Sequence, residues 1–389
     1  MVLADRLETL SRVRARWEEL LERCEDPQVT LSPEWLLTWW RVFGGDGGRR
    51  LRSALFYDSD RLVGLAPLLY RTCWHRPGIP FRRLELIGSG EREADEIASE
   101  YLGVLSKRGR EQEIAFALVD ALVSGRLGGW DELVLPRMSG DASMTGALSG
   151  ALEASGLRVE VAHASSSFYA PLPASWDDYL ASLSSSRRYR LRRTLRDFKD
   201  WAGGSYRLER AQTHAELLRG LAILEELHGE RWRAAGRHGM FASARFRRFH
   251  QRVMPALHRR GALDILWLEA RGEPIAALYN LICRGRVQFY QSGRRVDLPS
   301  HVKVGVVVHA LAIDRAIAES RTEYDFLAGR ARYKQELGPA HRRLVTLRAL
   351  PRRSAREDAR QLIRGCVLPA RRAVSRRAAA LTLRRQGAG

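Results

Sequence analysis

Apolar segments and turn residues alternate in the same order twice along the chain. In each half a three-strand meander is followed by a helical pattern and then by a further strand, at 132–135 and at 324–327. The two helical patterns cover 110–123 and a stretch beginning at Val302. This repeated order predicts a duplicated unit of class α/β (α+β), each copy a mixed sheet flanked by helices. The predicted meander strands are Leu51–Tyr57, Leu62–Tyr70 and Arg83–Ile87 in the first copy, and Leu263–Ala270, Ile275–Cys283 and Val287–Ser292 in the second.

The start of the second helix is a candidate anion site. We expect Ser300 to cap this helix, with Gly305 in its first turn. The first N–H groups of a helix lack partners within the helix, so they readily bind phosphate. Only four of the 65 Lys and Arg residues are lysine, and two of these, Lys303 and Lys334, lie within this part of the chain. Both are candidates for contacting a phosphate or a carbonyl oxygen, and two surface lysines placed by chance are the alternative.

Length and composition indicate a globular protein of two domains. The chain has 389 residues, of which 45% are hydrophobic and 28% charged. We expect domains at 1–170 and 171–350, followed by a basic tail at 351–389 that is helical or flexible. The formal charge of +20 would attract phosphates, nucleic acid or an anionic membrane surface, although arginine is spread along the whole chain.

Neither metal binding nor membrane insertion is indicated by the sequence. The four cysteines are far apart and lack the spacing of metal ligands, which favours a reduced cytoplasmic protein without a metal. The first twenty residues mix charged and apolar side chains and do not resemble a signal peptide. The longest apolar run, Val304–Ile313, is too short to span a bilayer. We therefore expect a cytoplasmic protein that contacts the inner membrane surface only peripherally, if at all.

Two basic segments could bind an anionic partner. Ser182–Asp200 is predicted to be a capped helix with six arginines, and it is either a solvated connecting helix or a wall of an anionic substrate site. Arg187 and Arg190 are its candidate substrate-binding residues. The tail Arg352–Gly389 carries eleven arginines and two acids, and a weakly amphipathic pattern follows Pro369. We favour a loosely held appendage over a membrane anchor, with tRNA or an anionic membrane surface as its partner.

Two motifs in the second half resemble a known family. Residues 324–334, YDFLAGRARYK, resemble the DFL-x-G-x-x-x-YK signature of the acetyltransferases associated with cellulose biosynthesis, the CelD/BcsL type. Residues 227–241, LHGERWRAAGRHGMF, resemble that family's Arg-Trp pair ahead of a glycine and an aromatic. The resemblance covers about 182–350 well and 35–135 more loosely. It implies two tandem domains of the GNAT N-acetyltransferase fold, related to Fem-type aminoacyl transferases.

The resemblance also implies an activity, in which an acetyl or similar acyl group moves from acetyl-CoA, as co-substrate, to an amine or hydroxyl. The acceptor would be a small molecule, a sugar or a glycan or bacterial cell-envelope precursor, and no metal would be needed. Tyr333 would protonate the leaving thiolate, and Lys334 would stabilise the developing oxyanion unless the pair only attaches the loop after Gly329 to the sheet. The implied binding groups for the diphosphate are Ser300, Lys303 and Gly305, and those for the oxyanion are the backbone N–H groups near Tyr290 and Gln291.

Several further residues have an open role. Asp325 would be catalytic, or would only cap and orient the loop after its strand. His228 would contact the acceptor and could accept its proton, with Arg231 and Trp232 close to it in sequence. The alternative is that His228 and Glu230 form a surface pair on a helix. Two other functions remain open as well. One is a Fem-like transfer from aminoacyl-tRNA, and the other is a non-catalytic basic module that binds nucleic acid or anionic lipid.

Overall fold

The structure is a computed structural model that describes residues 1–75, 78–329 and 331–363. Strands and helices follow one another in the same order in both halves. The strands are β1 (Val2–Ala4), β2 (Arg50–Leu51), β3 (Ser53–Asp58), β4 (Arg61–Ala66), β5 (Leu68–His75), β6 (Ile79–Leu86), β7 (Leu105–Ser106), β8 (Glu132–Ser139), β9 (Arg158–Pro171), β10 (Tyr206–Arg210), β11 (Leu263–Ala270), β12 (Glu273–Cys283), β13 (Arg286–Arg294), β14 (Glu323–Ala328) and β15 (Ala340–Leu350). The helices are α1 (Leu7–Arg12), α2 (Arg14–Arg23), α3 (Pro33–Phe43), α4 (Glu111–Val123), α5 (Ser143–Ala154), α6 (Trp176–Ser182), α7 (Ser185–Ala202), α8 (His214–Ala234), α9 (Ala244–Arg259), α10 (Val304–Ala318) and α11 (Arg332–Leu337).

Two sheets organise the chain. An eleven-stranded sheet has the order β10-β11-β12-β13-β14-β9-β15-β8-β6-β5-β2, and a smaller one has the order β1-β3-β4-β7. In the first half, helix α4 leads to β8, which pairs in parallel with the last meander strand, β6. In the second half, helix α10 leads to β14, which pairs in parallel with the last meander strand, β13. The predicted class is therefore confirmed, with mixed sheets flanked by helices and two tandem copies of one unit.

Strands exchanged between the halves join them into one sheet. β9 pairs with β15 through Arg158–Tyr169 and with β14 through Ser167–Pro171. β15, the last strand among the described residues, lies between β9 and β8. The expected boundary at 170/171 thus falls within β9, and the division into domains at 1–170 and 171–350 stays a prediction.

Three predicted boundaries differ from the structure. The predicted strand Leu51–Tyr57 breaks at Arg52 into β2 and β3. The predicted strand Leu62–Tyr70 breaks at Pro67, which has no N–H to donate. At this residue the chain passes from the smaller sheet to the larger one. The helix predicted to be capped by Ser300 begins four residues later, at Val304, with Lys303 as its N-cap residue. Ser300 instead lies in a turn closed by the Val302 N–H bonding to the Pro299 carbonyl, at 2.9 Å.

The start of the tail packs against the first half. Residues 355–363 are helical, and the buried Glu357 accepts hydrogen bonds from Arg348 (2.8 Å) and Arg360 (2.9 Å). This part is attached, in contrast to the loosely held appendage that we expected. Pro369 and the amphipathic pattern after it lie outside the described residues. No helix in the described part of the chain is long and apolar enough to cross a bilayer.

The two faces of the second-half sheet belong to different hydrophobic cores. Tyr290 and Leu327 belong to the core shared with the first half and with α8 and α9, whereas their neighbours Phe289 and Phe326 belong to the core under α7 and α10. This alternation follows from the two-residue period of a strand. β13 and β14 therefore have one face toward α10 and the other toward the first half.

Candidate functional site

β13 and β14 separate at their carboxyl ends. Their parallel pairing covers only Arg286–Gln288 on one strand and Glu323–Asp325 on the other. Beyond this point β13 bulges, because its register against β12 shifts between Tyr279 and Asn280. On β14, Leu327 adopts a left-handed backbone conformation with φ 54°, a strained geometry for a residue with a branched side chain. The open ends leave a gap in the middle of the sheet.

A cleft of about 540 Å³ lies beside this gap, between the end of β13, the first turns of α10 and the start of α11. Four cationic side chains line it, and none of its described lining residues is acidic. It contains the three predicted diphosphate-binding residues, together with Arg231 and Tyr333. The residues that matter for its chemistry are Arg231, Arg294, Arg295, Ser300, Lys303, Gly305, His309 and Tyr333.

Two of the arginines are close to each other without a carboxylate between them. Burial lowers the pKa of Arg294, and the nearby charge of Arg231 lowers it further. Neither guanidinium has an acidic partner within 4.0 Å among the described residues, whereas Arg295 is paired with Glu273 and Asp297. Like charges that are held together without counter-charges favour the binding of an anion.

The absence of a side chain at Gly305 leaves room for Arg294 beside the start of α10. Gly305 is the second residue of α10, and a Cβ placed on it would lie 3.3 Å from Cδ of Arg294. The first turn of α10 has no acidic residue, so its free N–H groups remain favourable for an anion. In the first half, by contrast, the corresponding helix α4 carries Glu111 and Glu113 in its first turn. Among the described residues, the helix start that favours an anion is therefore the one in the second copy.

Tyr333 lies in the cleft wall and stacks on a buried histidine. The rings of Tyr333 and His309 are nearly parallel, with centroids 5.1 Å apart and an interplanar angle of 17°. Nδ1 of His309 shares a hydrogen bond of 3.0 Å with the Tyr324 hydroxyl. Burial raises the pKa of Tyr333 to about 12 and lowers the pKa of His309 to about 3, so at neutral pH the phenol keeps its proton and the imidazole is uncharged.

Lys334 lies outside the cleft and is bonded to the end of β14. Its Nζ donates to the carbonyl oxygens of Phe326 (2.6 Å), Leu327 (3.3 Å) and Ala328 (2.6 Å). An ammonium has three protons, and three acceptors are present. Burial lowers the pKa of Lys334. This geometry matches the alternative in which the lysine attaches the strand end and the following loop to the sheet.

Asp325 is fully buried and is also absent from the cleft lining. Its carboxylate accepts from the Ser167 hydroxyl (2.5 Å), the Tyr101 hydroxyl (2.7 Å) and the Leu327 N–H (2.8 Å), and Arg342 approaches it at 3.4 Å. The bond to Leu327 orients the residues after the strand, as the capping interpretation predicted. The other three partners come from the first half, β9 and β15, so this carboxylate joins the two halves.

The predicted oxyanion residues are at the gap. Gln291 is half-buried on the separated part of β13. Tyr290 directs its side chain away from the cleft, where its hydroxyl donates to the Ile97 carbonyl (2.5 Å) and shares a hydrogen bond of 3.1 Å with Nε2 of His250. Only the backbone of Tyr290 can therefore contact a ligand in the gap.

The predicted acceptor-binding residues are split between two places. His228 is buried because α8 packs this side chain against β13. The interpretation of His228 and Glu230 as a surface pair is therefore excluded. Its Nδ1 donates to the Ser292 carbonyl at 2.9 Å, and its Nε2 has no partner among the described residues. Trp232 contacts the same histidine, with ring centroids 6.0 Å apart. Arg187 and Arg190 lie on α7 outside the cleft lining, and Arg190 approaches Glu336 at 3.5 Å.

Sequence reasoning missed several of the lining residues. Arg294 is the last residue of β13 and Arg295 follows it, so the position of both at the end of a meander strand is a signal that the sequence contains. His309 gave a weaker signal, as a lone polar residue within the apolar run of α10. No group of three or more His, Cys, Asp or Glu side chains in the described ranges is placed to hold a metal ion.

The second half of the chain is similar to a known protein family. Residues 185–335 match the family model described as "Acetyltransferase (GNAT) domain". The match ends within α11 and covers α7 through β14. No curated protein matches the chain. The finer assignment to the cellulose-associated type stays a prediction.

Solved structures show the same fold over most of the chain. FemX is similar with a TM-score of 0.56 and 11% identity, covering 90% of this chain and 98% of FemX. The C-terminal domain of a putative lysylphosphatidylglycerol synthetase from Agrobacterium fabrum has a TM-score of 0.51 and 10% identity, covering 92% and 96%. A protein of unknown function from Bacteroides thetaiotaomicron has a TM-score of 0.51 and 11% identity, covering 90% and 98%.

Proposed function

We propose that the chain, whose residues 185–335 match a GNAT acetyltransferase model, transfers an acetyl or similar acyl group from acyl-coenzyme A to an amine or hydroxyl acceptor. The observation that carries this proposal is the cationic cleft at the start of α10. Arg231, Arg294 and Lys303, together with the free N–H groups of the helix, would favour a bound diphosphate, and the cleft lies beside the gap between β13 and β14.

In the proposed reaction the acceptor nitrogen or oxygen attacks the thioester carbonyl, a bond forms to the acyl carbon, and the carbon–sulfur bond breaks. Backbone N–H groups near Tyr290 and Gln291 would stabilise the charge that develops on the carbonyl oxygen. Tyr333 would give its phenolic proton to the leaving thiolate, for which its position in the cleft and its retained proton are suited. Lys334 and Asp325 would act as positioning residues that fix the open end of β14.

The acceptor would enter from the face opposite the cleft, toward α8 and the first half. His228 and Trp232 lie there, and the unpaired Nε2 of the histidine could accept a hydrogen bond from a bound acceptor. We retain a sugar or a cell-envelope precursor as the acceptor class, on the resemblance of the two motifs. A cytoplasmic location, with the tail at an anionic membrane surface, belongs to the same proposal.

The donor can be tested by calorimetry on the full chain with coenzyme A and, separately, with bulk tRNA. We expect saturable one-to-one binding of coenzyme A. If tRNA binds and coenzyme A does not, the Fem-like alternative with an aminoacyl-tRNA donor replaces the proposal. If tRNA or anionic vesicles bind and no thioester is consumed, the chain is a basic binding module.

Replacing Lys303 with Ala is expected to weaken coenzyme A binding by about 1 to 2 kcal/mol, because a charge-assisted contact with the diphosphate is lost. Lys107→Ala is the matched control, since it removes an exposed ammonium from the first half and leaves the cleft unchanged. Calorimetry on both variants measures the difference. Equal affinities for Lys303→Ala and the control would place the diphosphate elsewhere.

A further inference from the structure

A segment of the first half, residues 97–101, lies along the open ends of both separated strands. The Ile97 carbonyl accepts from the hydroxyl of Tyr290 on β13, at 2.5 Å. On β14, the N–H of Ala328 donates to Oε2 of Glu100, at 2.7 Å. The gap in the second-half sheet is thus bounded by a segment of the other copy, and this segment brings a carboxylate to it.

The backbone of Glu100 is held in place by a contact from outside the segment. The Thr30 hydroxyl donates to the Glu100 carbonyl at 2.7 Å, and the residue itself is 8% exposed. Ala98 and Tyr101, on either side, have φ of 51° and 55°. Such left-handed backbone costs free energy in residues other than glycine, and it persists only where surrounding contacts hold it.

Glu100 approaches the gap from the face opposite the donor cleft. Ile97, Tyr101 and Leu102 belong to the same hydrophobic core as Tyr290 and Leu327, whereas the cleft lies on the α10 side. A thioester bound in the cleft would present its carbonyl to the gap from one face. An acceptor arriving from the other face would pass the end of β14, where Glu100 is bonded.

The groups around Glu100 favour a carboxyl that changes protonation near neutrality. Burial raises the pKa of Glu100 to about 7. The N–H of Ala328 and the charges of Lys334 on α11 and Arg137 on β8 act in the opposite direction, and the charge of Asp325 on β14 raises the pKa further. A group with such a pKa takes up a proton in one step and releases it in the next at neutral pH.

We propose that Glu100, contributed by the first half, is the general base for acyl transfer in the second half. Its carboxylate takes the proton from the acceptor nitrogen or oxygen as that atom bonds to the acyl carbon. The carbon–sulfur bond breaks, and the thiolate receives its proton from Tyr333. This inference rests on the proposed acyltransferase function. It gives the first copy a part in the reaction, although the start of its own helix α4 is acidic.

The test uses water as the acceptor, since a base beside the acyl group would also activate water. Thiol release from acetyl-CoA is measured with the full chain across a pH range. In the wild-type protein the rate should rise with pH through about 7, as Glu100 loses its proton. Glu100→Gln keeps an oxygen that can accept from Ala328, so its melting temperature and coenzyme A affinity should stay at the wild-type values. Its rate should fall about a hundredfold or more and lose the pH dependence.

Glu93→Gln is the control, because Glu93 is exposed in the same stretch of chain and should leave the rate unchanged. The proposal is overturned if Glu100→Gln releases thiol as fast as the wild-type protein, or loses activity only together with coenzyme A affinity. It is also overturned if the wild-type protein binds coenzyme A and releases no thiol at any pH. A wild-type protein that does not bind coenzyme A would instead refute the proposed donor.

Discussion

Replacing Lys334 with Met is expected to lower the free energy of unfolding by about 3 kcal/mol. The ammonium is the donor for three backbone carbonyls at the end of β14, and methionine leaves these buried acceptors without a partner. It also removes the positive charge near the carboxylates of Glu100 and Asp325. Urea unfolding measures the loss, and single-turnover transfer on the same preparation gives the rate per folded molecule.

Lys303→Met is the matched control, because it makes the same side-chain change at the start of α10, outside the buried network. It should weaken coenzyme A binding and leave stability nearly unchanged. A Lys334→Met protein that is as stable as the wild type and has lost turnover would contradict the positioning role. That result would return Lys334 to the oxyanion role that the sequence suggested.

Replacing Tyr333 with Phe should lower turnover about a hundredfold or more, since the leaving thiolate loses its proton donor. The aromatic ring that stacks on His309 is kept, so coenzyme A affinity and the melting temperature should change little. Single-turnover rates with saturating acetyl-CoA isolate the chemical step. Tyr189→Phe, which removes an exposed phenol on α7, is the control and should behave as the wild type.

The leaving group offers a sharper test of the same residue. A thioester of a more acidic thiol releases its thiolate without needing a proton, so Tyr333→Phe should transfer from it at close to the wild-type rate. If the variant is equally slow with both thioesters, the phenol does not act on the leaving group. The hydroxyl would then contribute through binding or positioning.

The elements of the second half could be predicted from the sequence because their signals are local. β11 lies at the predicted positions, Leu263–Ala270, since a short apolar run between clear turns leaves little choice of boundary. The helix start was placed too early, because Ser300 resembles a cap in sequence, whereas the turn from Pro299 to Val302 delays the helix to Val304.

The candidate site was only partly predictable, because its members meet through tertiary structure. The motif around Tyr333 could be predicted because all of its residues lie within one short segment of the sequence. The positive charges of the cleft could not be predicted in this way, since Arg231 and Arg294 come from α8 and β13, which are far apart in sequence. Glu100 is 228 positions from its partner Ala328, a pairing that no local pattern encodes.

The position of β15 determines when the chain can fold. The first half cannot complete its part of the sheet until the last strand has been synthesised, because β8 and β9 each pair with β15. Until then, both present unpaired edges that could bind other chains. Contacts this distant in sequence slow folding and expose intermediates to aggregation. A ribosome that stalls before Ala340 would therefore release a chain prone to aggregate, rather than one finished domain and one unfinished one.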